Sequence, residues 1–255
     1  MKDIQSSVNP RIKNVKRIGT GKSATDCIIE GKRLFNEAIE SGLEIKEVFV
    51  TPGGMNDIDV KDSKTFEVFL VPDSLMAEIS TVDTPPGILA VAKRKLADPI
   101  ILDQGFAAFA WSLRDPGNFG TIIRSAEATG CRFIACSSDC VDPYSPKVIR
   151  GSMGSVFRVP ILIVSSLQEY FAEQRKNGIA LFGLFPREGT NLFESTLQQP
   201  AMIVLGGETT GLPDSINPDY KISIPMSGKI ESLNVGVAAS LAFYHFMNTL
   251  MAKKS

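Results

Sequence analysis

The sequence predicts a two-part α/β protein: a small α/β domain followed by a larger domain on a mostly parallel sheet. Three observations predict it. Short apolar runs of strand length alternate with stretches of helical periodicity along nearly the whole chain. In the second part, the run at 107–113 is apolar except for Ser112 and that at 201–205 is apolar throughout, as strands covered on both faces are. A charged, proline-containing stretch at 93–103 divides the alternation, giving a first domain over residues 1–95 and a second over residues 96–255. A chain of 255 residues has room for two modest cores.

Residues 1–25 are polar and basic, and little packed structure is expected there. Leu34, Phe35, Ala38 and Ile39 share a helical face within 30–41, and Gly42 ends that helix. Strands are expected at 46–51, 66–71 and 87–92, with a turn at Pro52, Gly53 and Gly54 and a short helix beginning near Pro72. In the second part a strand at 107–113 leads through a loop at 114–118 into a helix at 119–129, closed by Gly130. A strand at 132–136, a short helix at 145–151, a strand at 157–164 broken by Pro160, a helix at 167–176 and a strand at 179–184 follow. Short strands at 201–205 and 221–224 precede a final apolar helix from 234, which Asn234 can cap. Ser240, His245 and Asn248 interrupt that helix, so it reads as a core helix rather than a membrane span.

The net charge of −1 argues against a protein that is basic all over, but residues 1–33 hold eight Lys or Arg against three acids, enough to steer a polyanion to one face. Cys131, Cys136 and Cys140 cluster without a nearby histidine and without a zinc spacing; with Cys27 they read as free thiols, and no metal is expected. No charged-then-apolar segment marks a signal peptide, so a cytoplasmic protein with no membrane partner is expected. The single histidine, His245, lies among Phe243, Tyr244 and Phe246 and reads as a packed residue, which leaves no Ser-His-Asp or Cys-His mechanism.

In parallel sheets ligands sit beyond the carboxyl ends of the strands. Three unusual loops are expected there, at 114–119, 206–213 and 226–234, and none is a G-x-G-x-x-G or a P-loop. Asn118 suits either a helix cap or a site residue. Arg124 has three readings: reaching solvent, pairing with Glu127 or Glu208, or presenting a guanidinium to a phosphate or ribose. With Arg, Asn, Glu and Ser as the available groups, transfer from a pre-activated donor is the chemistry that needs least else.

These loops carry a resemblance. Arg114-Asp-Pro-Gly-Asn118 with Arg124, then Leu205-Gly-Gly-Glu208 with Gly211, then Ile224-Pro-Met226 with Ser232-Leu-Asn234 resemble, in order and spacing, the three motifs of the SpoU (TrmH-type) RNA ribose methyltransferases. Residues 147–154 resemble the segment between the first two motifs, and 29–91 resembles, more weakly, the family's small substrate-binding domain. The resemblance implies S-adenosylmethionine-dependent methylation of a ribose 2′-hydroxyl, most readily of rRNA, by a homodimer whose catalytic domain ends in a trefoil knot. It implies Arg124, Asn118, Glu208, Ser232 and Asn234 around the reacting centre, with Arg124 activating the hydroxyl. It places Leu205, Gly206, Gly207, Ile224, Met226 and Leu233 against the cofactor. Arg11, Lys13, Lys16, Arg17, Lys32 and Arg33 form the expected RNA-docking strip, with Arg150. Gly207 and Thr209 depart from the usual second motif, in which Thr209 stands where a glycine is expected. A tRNA methyltransferase and a non-catalytic RNA-binding assembly factor of the same fold remain alternatives.

Overall fold

The computed structural model describes residues 1–21, 23–57, 66–195, 198–208 and 210–252; Lys22 of the basic segment and Thr209 of the second motif lie outside these. The chain divides into one unit of Met1–Lys95 with Tyr144–Phe157 and another of Leu96–Pro143 with Arg158–Ser255.

The first unit runs β1 (Lys2–Asp3), α1 (Pro10–Gly19), β2 (Asp26–Glu30), α2 (Lys32–Glu40), β3 (Ile45–Val50), β4 (Glu67–Leu70), α3 (Asp73–Ile79) and β5 (Ile88–Lys93). Its sheet has the order β1-β4-β3-β5-β2, with β1, β4 and β3 parallel and β5 antiparallel to both β3 and β2. Residues 10–19 correct the expectation of little packed structure near the N-terminus. Asn9 accepts a hydrogen bond from the Arg11 N–H, Pro10 sits in the first turn, and Ile12, Val15 and Ile18 are buried. Three apolar residues spaced i, i+3, i+6 suffice for a helix whose other positions are mostly cationic, and the charge concealed the period. These three join Phe49, Phe69 and Leu75 in one core on that side of the sheet.

The second unit contains β6 (Phe106–Ala110), α4 (Pro116–Ala128), β7 (Ile134–Ser137), then, after α5 (Pro146–Gly151) has passed through the first unit, β8 (Ile161–Val164), α6 (Leu167–Lys176), β9 (Ala180–Phe185), β10 (Thr190–Asn191), β11 (Ala201–Leu205), β12 (Tyr220–Ser223) and α7 (Val235–Ala252). Every pairing in the order β10-β12-β9-β11-β6-β7-β8 is parallel. Ala107, Phe109, Leu181 and Met202 pack with Phe171 of α6, while Phe106 and Phe182 meet Phe243 and Phe246 of α7 on the other face. Burial on both faces accounts for the uninterrupted apolar strands. α4 and α7 pack through small residues: Ser125 and Ser240 share a hydrogen bond of 2.6 Å, and a Cβ on Gly236 would come within 3.2 Å of Thr121. α7 is long and apolar enough to cross a membrane by length and composition, yet Gly236, Ala239, Ala242, Phe243 and Phe246 are buried in this unit.

Two expected boundaries change. Asp115, not Asn118, caps α4, so the loop expected at 114–118 is already helical from Pro116. The strand expected at 157–164 begins only at Ile161, and β11 leads into a tight loop closed by reciprocal backbone hydrogen bonds between Gly207 and Gly211. Three glycines and a proline disfavour a helix there.

Substituting Ile12→Ala is expected to destabilise the first unit by about 2–5 kcal/mol, since it opens a cavity in a packed core. Urea unfolding of the full chain is the measurement; an unchanged midpoint would show that α1 adds nothing.

Candidate active site

The site is built by register. Ala110, Leu205 and Leu184 are Cα partners across β6, β11 and β9, and Phe185 pairs with Ser223 of β12. Four strands therefore end side by side, and the segments starting at 111, 206, 186 and 224 leave the sheet along one edge. β6 is also where the strand order reverses, because the chain runs outward through β7 and β8 and later fills the other side. A crevice at the carboxyl ends forms at such a point.

A chain of side-chain hydrogen bonds joins three of these segments. The Asp115 carboxylate accepts from the Asn118 N–H at 2.7 Å, which fixes Asn118 in the first turn of α4. The Asn234 amide donates to the Asn118 carbonyl oxygen at 2.7 Å, and the Asn118 amide in turn donates to Glu208. Asn234 also caps α7 as expected, its oxygen accepting from Gly236 at 2.9 Å and Val237 at 3.2 Å. Both groups of the Asn234 amide are thus committed, one to the backbone and one to the relay. The Glu208 carboxylate ends the relay at the first turn of α4, where the exposed N–H groups favour negative charge.

Around the relay lies a cavity of about 390 Å³. Leu184, Phe185, Leu205 and Ile224 give it apolar walls, and Asn118, Glu208, Ser232 and Asn234 a polar edge. Gly206, Gly207, Met226 and Leu233 complete the expected set. A Cβ on Gly206 would lie 2.6 Å from the Gly211 carbonyl carbon, and one on Gly207 3.1 Å from the Ser112 carbonyl oxygen. A side chain at 207 would crowd that carbonyl, so glycine suits this position.

The segment entering α4 is held from behind. Ser112 turns the chain at φ +50°, its N–H bonded to the Ser137 hydroxyl at 2.9 Å. The Leu113 N–H donates to the Cys140 sulfur at 3.3 Å and its carbonyl accepts from Val141 at 2.7 Å. A hydrogen bond with the Cys136 thiol lowers the Cys140 thiol below its ordinary value, and the same bond together with burial pushes Cys136 up. All four cysteines are free.

Arg124 does not join the relay. Six residues beyond Asn118 it is rotated about 240° around the helix and about 9 Å along it. It is exposed, bonded to no other described residue, and outside the cavity lining. Neither expected carboxylate pairs with it, since Glu127 binds Arg158 and Glu208 binds Asn118. Among the described residues no group of three or more His, Cys, Asp or Glu is placed to hold a metal. His245 meets Phe193 edge-on at 5.8 Å.

The expected docking strip is divided in the first unit. Arg11 is bound to Glu47 and, at 2.8 Å, to Glu67, and lies 4.5 Å over the Phe69 ring. Lys16 pairs with Glu78 at 2.8 Å and Arg17 with Asn14 at 2.9 Å. The bond from Lys2, reinforced by Arg11, holds the Glu67 carboxyl below the usual carboxylate range. Lys13 is exposed on α1, whereas Lys32 and Arg33 are exposed on α2, a separate helix. Arg150 of α5 donates to the Thr81 hydroxyl at 2.9 Å and lies 3.9 Å from buried Glu30, which also accepts from Ser80 at 2.6 Å.

The sequence reading missed Leu184, Phe185 and Pro186 as cavity residues. Their only sequence signal is their place at the end of an apolar strand; the strand order that sets β9 between β11 and β12 is not written locally.

Residues 106–244 match the SpoU rRNA Methylase family, and residues 9–90 match the MRM3-like substrate binding domain. A Bacillus subtilis (strain 168) protein named 23S rRNA (guanosine(2553)-2′-O)-methyltransferase RlmP is 28% identical over 256 residues, 96% of this chain and 99% of that one. A Streptomyces viridochromogenes protein named 23S rRNA (uridine(2479)-2′-O)-methyltransferase is 29% identical over 237 residues, 87% of this chain and 82% of that one. The crystal structure of the SpoU methyltransferase AviRb from Streptomyces viridochromogenes, in complex with AdoMet, aligns at a TM-score of 0.84 and 26% identity over 96% of this chain and 99% of that one. Because the matched methylase region takes in all three loops that meet at the cavity, this chain belongs to the SpoU rRNA methylase family.

Proposed function

We propose that this chain methylates a ribose 2′-hydroxyl of rRNA with S-adenosylmethionine as donor. The observation that carries the reading is the relay from Asn234 through Asn118 to Glu208, which draws the three motif loops over one cavity. The cavity suits the cofactor. Leu184, Phe185, Leu205 and Ile224 offer apolar surface to a flat base, and Gly206 and Gly207 line the cavity beside them. The names of both relatives point to 23S rRNA, and the substrate-binding match in the first unit favours rRNA over tRNA.

The bound cofactor supplies a methyl group on a sulfonium, so the protein has to align an oxygen and loosen its proton. Asn118, Glu208, Ser232 and Asn234 are assigned to holding the ribose and the cofactor tail at the polar edge. Arg124 is assigned to activating the hydroxyl. A guanidinium holds its proton tightly and is a poor base as it stands, so it acts by orientation and by stabilising developing charge.

The same reading makes the protein a cytoplasmic homodimer with its C-terminal segment knotted. Val237, Leu241, Tyr244 and Met251 form an exposed apolar stripe at heptad-like spacing on α7, which supports a second copy docking there. Leu241 follows Ser240, the partner of Ser125 beside Arg124, so docking would set Arg124 where the two copies meet.

Incubation with methyl-labelled S-adenosylmethionine and deproteinised rRNA and tRNA, followed by mapping, is expected to place the label on an rRNA ribose. Label on a base, or none, would overturn the reading. Arg124→Ala is expected to abolish transfer while calorimetric binding of S-adenosylmethionine survives; retained transfer would remove Arg124 from the mechanism. Asn234→Asp keeps the α7 cap but loses the donor to Asn118, so it should melt like wild type yet transfer about 10²-fold more slowly. Asn234→Ala should lose about 1 kcal/mol as well. Leu241→Arg with Tyr244→Glu should yield a monomer by sedimentation; an unchanged dimer would put the interface elsewhere.

A further inference from the structure

Residues 225–234, between β12 and α7, form a loop without regular structure, and most of its residues are exposed. It brings Met226, Ser232 and Leu233 to the cavity, which Leu184, Phe185 and Pro186 also line. A ten-residue loop of this kind loses its position readily unless side chains tie it down.

Asn234 holds the end of the loop at the α7 cap. Among the described residues, one other side chain bonds its interior. The Arg187 guanidinium donates from Nη2 to the carbonyl oxygens of Gly228, at 3.4 Å, and of Ile230. Arg187 follows Pro186 directly, so the bond joins the segment leaving β9 to the loop leaving its neighbour β12. Its own base is firm. Gly189 sits so tightly on β12 that a Cβ there would lie 2.2 Å from the Lys221 carbonyl oxygen. Lys221 also pairs with Glu188 at 2.9 Å and lies 4.9 Å from the Phe185 ring centroid. A guanidinium is planar and fixes where its donors point; an ammonium is a point charge without that geometry.

We propose that Arg187 is a positioning residue of the methyl-transfer site: a strap that holds the 225–234 loop against the β9 exit and so sets the affinity for S-adenosylmethionine. It touches no reacting atom. It acts through the backbone of Gly228 and Ile230, which carries Ser232 and Leu233 to the cavity. The proposal rests on the cofactor reading given above.

The test compares wild type, Arg187→Ala and Arg187→Lys as full-length proteins. Calorimetry with S-adenosylmethionine is expected to show the dissociation constant rising about tenfold in the Ala variant, with partial recovery in the Lys variant. In the transfer assay the KM for S-adenosylmethionine should rise by more than kcat falls. A ligand-free readout accompanies these. Lys229 lies between the two strapped carbonyls and is exposed, so a lysine-specific protease should cut after Lys229 faster in the Ala variant than in wild type. Equal cofactor affinity and equal Lys229 cleavage in wild type and Ala variant would overturn the proposal. If wild type itself binds no S-adenosylmethionine, the cofactor reading fails, and the Lys229 cleavage rates still decide whether Arg187 straps the loop.

Discussion

The parallel pairing of β11 with β6 on one side and β9 on the other carries the rest of the second unit. Ala110, Leu205 and Leu184 end level with one another, so the segments that follow them leave the sheet together. A slip of one residue in any of these strands would turn its apolar set to the wrong faces, and the aromatic contacts between Phe106, Phe182 and α7 would be lost. The burial that fixes the register therefore also fixes which loops can meet. Side chains within the strands are committed to the core, which leaves polar chemistry to the carboxyl ends.

At those ends the relay links loops far apart in sequence with few ionisable groups. Asn118 suits its centre because one planar amide accepts from Asn234 and donates to Glu208 at once. Aspartate there could not donate and serine could not reach both partners. Asp115 takes the cap of α4, which leaves both ends of the Asn118 amide for the relay. A donor that arrives with its methyl group already activated asks the protein for alignment rather than for a strong base, and a site of amides, one carboxylate and backbone groups is consistent with that demand.

In the first unit, charge along the sequence and charge available to a partner are different quantities. Arg11 and Lys16 are each matched by carboxylates from other elements, and Arg150 is engaged by Thr81 beside the buried Glu30. Exposed pairs of this sort contribute little stability and can exchange partners, so a phosphate could still compete for Arg11 or Lys16. The exposed positions Lys13, Lys32 and Arg33 belong to two helices, α1 and α2. Electrostatic attraction toward RNA would therefore come from local arrangement on a chain whose overall charge is −1.

Much of the fold was legible because local rules and tertiary packing agree. Doubly buried strands read as nearly unbroken apolar runs, Gly42 and Gly130 ended their helices, and Asn234 announced the start of α7. The three motif loops were legible as well, since glycine, proline and polar residues stand out between apolar strands. Where charge masked a short apolar period, as in α1, local reading failed although Ile12, Val15 and Ile18 were there to be seen. The sequence by itself thus determined the elements, the loops and the family. Tertiary structure alone decided that Asn118 bridges Asn234 and Glu208 while Arg124 stands apart, that β9 supplies a cavity wall, and that Arg187 reaches the 225–234 loop. Each of these depends on strand order and helix rotation, which arise from packing between segments tens of residues apart and leave no mark in the sequence around any one of them.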